Sequence, residues 1–400
     1  QWVARVDSCR VKMFTDDDLN VFYYHGVILD DDAKKLLETP GDYLVQGRQE
    51  SDDTVKIIVA IRQKAGDEGI LRLPLSKTTK GIGLANQMFT SLDAAVAWLR
   101  KAPREVEKGV VVETKWPVPC DKWALRHSDV RMKEKIGYGA YGTVWRSLLT
   151  RKESEKIKVA VKKLDSQPNT NFLVEFMKEA RVMQLYDHPN IVAFYGYVVD
   201  RMPYLLVMEF CDGGSVEDCL REHSAKPISK ATRIDLAVQA ATGIEYLHSK
   251  KCIHRDIAAR NCLLKGKTLN VADFDMCRQT SAYKVDLGKP TNVRWLAPEV
   301  WVRSETNFAT DVYAFGVFLW ELFVLPYDIP YAPWKARIVK KRVMEGYRMP
   351  APPGMPPKLE QVMNNCWEKN PEKRPDMGDV REKLEQIEKT SSTDHTRSKS

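Results

Sequence analysis

"CIHRDIAARNCLL", residues 252–264, is the stretch on which the reading of the whole chain turns. Apolar residues on both sides enclose a polar core of His254, Arg255, Asp256, Arg260 and Asn261. Asp256 can accept the proton of an attacking hydroxyl. Asn261, five residues later, can offer an amide oxygen to Mg²⁺, a hard cation that prefers oxygen ligands. Arg255 can meet an anion on a neighbouring loop. A hairpin with incidental charges is the plain alternative, and this spacing leaves it little room.

Downstream, "VADFDMCR" (271–278) brings Asp273 twelve residues after Asn261, as a second metal ligand. Upstream, "NFLVEFMKEARVM" (171–183) has helical spacing with Phe172, Phe176, Ala180 and Met183 inward. Before it, "KVAVKKL" (158–164) reads as a strand carrying Lys162 between apolar neighbours. A strand-edge lysine in solvent is the plain alternative; a lysine that offers its charge to nucleotide phosphates needs a carboxylate to hold it. Glu179 can reach it, and Glu175, one turn earlier, is the competing candidate. Earlier still, "IGYGAYGTV" (136–144) supplies Gly137, Gly139 and Gly142. Backbone N–H groups in such a turn can face phosphates. A dinucleotide loop would continue into a helix, but "TVWRSLLT" reads as a strand.

In this order, with "WLAPE" at 295–299, the blocks of residues 128–388 resemble a protein kinase domain. "HRDIAARN" and "RWLAPE" resemble the protein-tyrosine kinases, with Ala258 where serine/threonine kinases carry lysine and Arg260 in the supporting charge role. The resemblance implies a bilobal α+β domain: an N-lobe over 128–208, a hinge at 209–213 and a C-lobe over 214–388. It implies ATP with Mg²⁺ or Mn²⁺, and transfer of the γ-phosphate to tyrosine hydroxyls of protein substrates. By it, Lys162, Glu179, Asp256 and Arg260 are catalytic, and Asn261 and Asp273 hold metal. Ile136, the three glycines, Val144, Ala160 and Leu263 surround the nucleotide. Met208 is the gatekeeper, and Glu209 and Cys211 offer hinge backbone. It also implies that Phe274 stacks with Met183, Phe194 and His254. Asp311 holds the catalytic loop, Glu299 pairs with Arg374, and Tyr283 is the phosphorylated activation-loop tyrosine, which Arg255 can meet.

Residues 21–113 resemble an SH2 domain through "YYHG" (23–26) and "GDYLV" (41–45), in a stretch with helical spacing at "DDAKKLLE" (31–38) and "SLDAAVAWLRK" (91–101) and strand-like alternation in "GDYLVQG" and "DTVKIIVAIRQ". The implied fold is a central antiparallel sheet between two helices. An SH2 unit joined to a kinase through residues 114–127, a Pro-containing linker, is similar to the Fes/Fer group of cytoplasmic tyrosine kinases. That group's amino-terminal membrane-curving and coiled-coil regions have no counterpart in these 400 residues, and a chain opening at Gln1 reads as a fragment or processed product.

The pattern breaks in three places. Asp275 stands where the family's DFG motif ends in glycine, which removes a backbone pivot but no reacting group. Asn292 replaces the proline expected before "VRW". In the SH2 unit, Gln46 follows "YLV" where an arginine grips phosphate, and a second basic position is Asp30. Arg48 and Arg72 are the cations that could compensate. Loss of two charge-assisted contacts argues against the usual phosphotyrosine grip and for clamping the N-lobe or an unphosphorylated ligand. A non-catalytic scaffold is therefore the competing reading of the whole chain.

The composition is that of an ordinary globular protein, 44% hydrophobic and 29% charged. The net charge of +8 comes without a long basic block, which argues against nucleic acid as a partner. The eight cysteines include no CxxC pair and read as reduced, mostly buried thiols of a cytoplasmic protein. No signal peptide or membrane span is evident, and "AFGVFLWELFVL" (314–325) reads as a buried helix. Peripheral association with the cytoplasmic face of the plasma membrane stays open. Residues 1–20 show no clear period, and 389–400 read as a disordered tail.

Overall fold

The structure is a computed structural model that describes residues 14–397 except 16, 52–53, 67–68, 140–141, 152–154, 165–169 and 289–290. Residues up to Ala180, with Tyr195–Met208, make one compact unit; Arg181–Phe194 and the residues from Glu209 onward make the other.

In the first unit, strands Asp42–Ser51, Thr54–Arg62 and Ile70–Pro74 form an antiparallel meander. Strand alternation sends Tyr43 and Val45 to one face, and Leu44 and Gln46 to the other. Helix Leu92–Arg100 covers the first face with Leu92, Ala95, Val96 and Leu99. Ala33 and Leu37 of the Asp30–Leu36 helix region cover the second. Ser91 caps the later helix by accepting from the Ala94 N–H at 3.1 Å. The sheet lies between two helices as expected, but it is mixed: strands Tyr24–Val27 and Trp116–Pro117 both join Asp42–Ser51 in parallel.

Two expected boundaries move. Leu19 is buried in the core of this N-terminal module, and Lys77 pairs with Asp18 at 2.5 Å, so the segment before residue 21 belongs to it. The expected linker is built into both sheets. Trp116–Pro117 pairs with the module, and Ala124–Leu125 pairs with Phe194–Val198. Pro117 signals a linker in sequence yet is tolerated here, because an outer strand does not need every N–H for pairing.

The module also touches the turn after Phe194–Val198. The Val27 N–H donates to Val199 O at 2.8 Å, and Tyr24 Oη to Asp200 O at 3.0 Å. His127 bridges Asp200 Oδ1 at 2.5 Å and Pro203 O at 3.0 Å. Burial alone would raise the Asp200 carboxyl, but its contacts with His127 outweigh that and hold it below the ordinary value. Gly26 has φ +69°, and a Cβ there would lie 2.3 Å from Val199 O, so a side chain has neither the backbone freedom nor the space.

A six-stranded sheet follows, in the order Ala124–Leu125, Phe194–Val198, Leu205–Glu209, Lys156–Leu164, Gly142–Thr150, Val130–Gly139. Val130, Leu149, Val159, Val161, Val198, Leu205 and Val207 form its core. In chain order, helix Thr170–Met183 comes between strands Lys156–Leu164 and Phe194–Val198.

The second unit is mainly helical, with Lys230–Ser249 and Phe308–Phe323 the central helices. Phe308–Phe323 buries nearly every side chain from Thr310 to Phe323, as a helix apolar all round must. No helix among the described residues is long and apolar enough to cross a membrane. The last helix, Met377–Arg397, runs past Lys389 into the expected disordered tail, because extending an existing helix is far easier than nucleating one. Seven cysteines among the described residues are free thiols and five of them are buried; Cys9 lies outside the described residues.

Candidate active site

The glycines lie on an antiparallel hairpin, not before a helix. Strands Val130–Gly139 and Gly142–Thr150 close at the Gly139–Gly142 pair, with tip residues 140–141 outside the described set. Gly137 pairs with Val144, while Ile136 is exposed. The next strand places Lys162 opposite Val144 and Ala160 opposite Arg146. Lys162 Nζ donates to both carboxylate oxygens of Glu179 at 3.0 Å. Glu175, the other candidate, holds Lys178 at 2.8 Å. The Lys162–Glu179 pair is almost dry, with side chains 13% and 7% exposed, so each charge depends on the other.

In the second unit, residues 254–261 are shaped by buried acids beneath them. Asp311 accepts the backbone N–H of His254 at 2.8 Å and of Arg255 at 2.9 Å. His248 Nε2 lies 3.0 Å from the same carboxylate. Glu321 accepts from Ala259 N, Trp295 Nε1 and Tyr327 Oη at 3.0–3.1 Å. Full burial pushes its carboxyl up to about 7, against those three donors. Arg255 sits at φ +71° and Asp273 at φ +65°, uncommon for residues other than glycine.

Three donors converge on Asp256. Arg260 Nη2 reaches Oδ1 at 2.5 Å, Asn261 Nδ2 reaches Oδ2 at 2.7 Å, and Asn292 Nδ2 reaches Oδ1 at 2.7 Å. Asn261 Nδ2 also donates to Asp256 O at 2.8 Å. With its nitrogen committed twice, the Asn261 amide turns its oxygen away from Asp256. Its backbone carbonyl takes the Ala272 N–H at 2.9 Å, which ties it to the segment of Asp273, an exposed carboxylate. An amide oxygen and a carboxylate are the hard oxygen donors a divalent cation such as Mg²⁺ prefers. Arg260 also lies over the Trp295 ring at 4.2 Å.

Residues 130–384 match the family described as protein tyrosine and serine/threonine kinase. Fer-related kinase 1 of Caenorhabditis elegans is 31% identical over 381 residues, 93% of this chain and 95% of that protein. The tyrosine-protein kinase transforming protein Fps of avian sarcoma virus (strain PRCII) is 32% identical over 92% of this chain and 68% of its own length. The tyrosine-protein kinase Fer of Rattus norvegicus is 32% identical over 92% of this chain and 44% of its own length. The chain belongs to this kinase family. The expected likeness to Fer-type kinases is borne out by these relatives.

Elsewhere in the kinase, Glu299 and Arg374 form a two-point ion pair at 2.6 and 2.8 Å. The Phe274 ring lies 5.7 Å from His254 and stacks on Tyr186 at 6.0 Å. Tyr186 had no signal in the sequence that would single it out. Asp275 keeps a negative φ, so this arrangement of the loop does not require the missing glycine. The Tyr283 ring lies beneath two guanidiniums, Arg255 at 4.7 Å and Arg278 at 5.0 Å.

Met208 lies on strand Leu205–Glu209. The Glu209 N–H donates to Ala193 O at 2.8 Å. The Glu209 carboxylate holds Lys265. Burial pushes the Cys211 thiol up to about 12, so it stays protonated near neutral pH. Leu263 is on the hairpin strand Cys262–Lys265.

In the N-terminal module, Gln46 and Arg48 project from the face that meets the first helix. Asp30, at that helix's start, is where they converge. Gln46 Nε2 donates to Asp30 Oδ1 at 3.4 Å, and Arg48 and Arg72 lie 3.5 and 3.6 Å from its two oxygens. Gln46, Arg48 and Arg72 thus surround a carboxylate of the chain itself.

Proposed function

We propose that the chain is a protein-tyrosine kinase that transfers the γ-phosphate of ATP to tyrosine hydroxyls of protein substrates. The observation that carries this reading is Asp256, a carboxylate ringed by three donors yet able to accept a proton. Lys162, fixed by Glu179, supplies the cation for the ATP phosphates, and Arg260 supplies positive charge beside the acceptor. The phenol gives its proton to Asp256 as its oxygen attacks the γ-phosphorus and ADP leaves. Asn261 and Asp273 would hold a divalent cation, Mg²⁺ or Mn²⁺, which when bound neutralises phosphate charge. Ile136, Gly137, Gly139, Gly142, Val144, Ala160, Met208, Glu209, Cys211 and Leu263 are the proposed nucleotide contacts. Tyr283 is the proposed regulatory phosphorylation site, where a phosphate would meet Arg255 and Arg278.

The domain assignment proposed is an SH2 module to about residue 113 and a kinase domain over 128–388, acting in the cytoplasm. In the module, Asp30 occupies Arg48 and Arg72 with its own carboxylate, which supports a ligand other than phosphotyrosine. The contacts of Val27, Tyr24 and Gly26 with residues 199–200 support a second role, holding the kinase sheet.

The test is turnover of a tyrosine-containing peptide with ATP and Mg²⁺, beside Asp256→Asn. A loss of about 10²–10⁴-fold in the variant is expected for removal of a general base. Equal rates would end the enzyme reading.

A further inference from the structure

Asn292 precedes the short helical turn Val293–Trp295, a position where asparagine ordinarily caps its own helix. It makes no such cap here. Its side-chain amide instead crosses to Asp256 and donates to Oδ1 at 2.7 Å. The flanking residues do not depend on that contact. Arg294 is anchored on Pro330 O and Trp334 O at 2.6 Å, and Trp295 on Glu321 at 3.0 Å.

A carboxylate has about four acceptor sites, two on each oxygen. Arg260 and Asn292 fill both on Oδ1; Asn261 fills one on Oδ2. One site remains, on Oδ2. We propose that Asn292 is a positioning residue for the kinase reaction, fixing the Asp256 carboxylate so that Oδ2 receives the proton of the attacking hydroxyl. The phenolic O–H bond breaks toward Oδ2, its electron pair forms the new bond to the γ-phosphorus, and the bond from that phosphorus to the leaving ADP oxygen breaks. Without the Asn292 donor, Oδ1 keeps an open site, and the carboxylate can take the proton on the wrong oxygen or rotate about its side chain. A proline in this place offers no donor at all.

This inference rests on the phosphotransfer reading, and its test separates the two. Asn292→Ala and Asn292→Pro are compared with the parent chain in steady-state turnover of a tyrosine peptide. Both lower kcat by about tenfold or more, the scale of one hydrogen bond to a charged group, while KM for ATP and for peptide stays the same. Asn292→Ser, which keeps a donor, recovers part of the rate. In an Asp256→Asn background, Asn292→Ala leaves the residual rate unchanged, because no base remains to be oriented. Melting temperatures within a degree or so of the parent exclude a folding effect. An unchanged kcat in Asn292→Ala, or the same fractional loss in both backgrounds, overturns the positioning role and leaves the kinase reading standing. A parent rate equal to that of Asp256→Asn overturns both.

Discussion

Asp256 and Asp30 are both aspartates surrounded by arginine and amide donors, one in each compact unit. Around Asp256 the donors stand at 2.5–2.7 Å, and its side chain is 8% exposed. Around Asp30 they stand at 3.4–3.6 Å, and its side chain is 37% exposed. Short contacts out of water orient a carboxylate for chemistry; long ones in water merely occupy the cations that make them. The same residue types thus hold one carboxylate tightly and out of water and the other loosely and in it.

The comparison breaks most severely at the kinase end. Lys162→Met leaves Glu179 buried without the cation it holds, and removes charge from the phosphates. A fall of about 10²–10³-fold in kcat/KM is expected, on the scale of losing one electrostatic contact to the transition state. Peptide kinetics measure it, and a loss under threefold would mean that Lys162 does not face the nucleotide.

The scaffold of the module is the next place to press. Gly26→Ala forces a Cβ to within 2.3 Å of Val199 O at a backbone angle that disfavours it. A loss of about 2–4 kcal/mol in unfolding free energy is expected, combining backbone strain with displaced packing. Denaturant titration reads it directly. An unaffected midpoint would show that this contact contributes nothing to holding the module.

Asp30→Ala should sharpen the contrast from the other side. It frees Arg48 and Arg72 for an incoming anion, and the gain in affinity for a phosphotyrosyl peptide should be about tenfold or more. The unphosphorylated peptide should gain nothing. Calorimetry with both peptides decides, and equal binding by parent and variant would remove Asp30 from the role of occupant.

The most gradual effect concerns Glu321, which supports Ala259 and Trp295 beneath the Asp256 loop. Its folded value of about 7 lies above the ordinary 4.5. Between those values the folded state holds a proton that the unfolded chain has released. Stability from this group is therefore complete below 4.5 and lost as pH rises toward 7. The slope is about 1 kcal/mol per pH unit at most. Glu321→Gln should flatten that slope in melts from pH 4.5 to 7.5, and an identical slope would place the burial effect elsewhere.

What could be read from sequence was whatever lies within one element or follows a fixed spacing. The Asp256–Asn261 interval, the strand after the glycines and the Ser91-capped helix all follow from local pattern. Lys162 could be matched to an acid, but only packing distinguished Glu179 from Glu175, because both lie on one helix a turn apart. Contacts between distant segments left no trace. Asn292 is 36 residues from Asp256, Tyr186 is far from Phe274, and Val199 closes on Gly26 across most of the first unit. Pro117 and Pro119 read as linker because proline interrupts most strands, yet paired residues run through that stretch. Asp30 reads in sequence as a lost basic residue; its turn toward Arg48 and Arg72 is a contact between distant segments that no local pattern carries.

The most direct measurement is phosphate incorporation by the purified, dephosphorylated protein incubated with ATP and Mg²⁺, mapped by mass spectrometry beside Lys162→Met. The expected result is phosphotyrosine at Tyr283 in the parent and none in the variant. No incorporation in the parent, or the same amount in both, would contradict an active phosphotransfer site and leave two folds kept for binding alone.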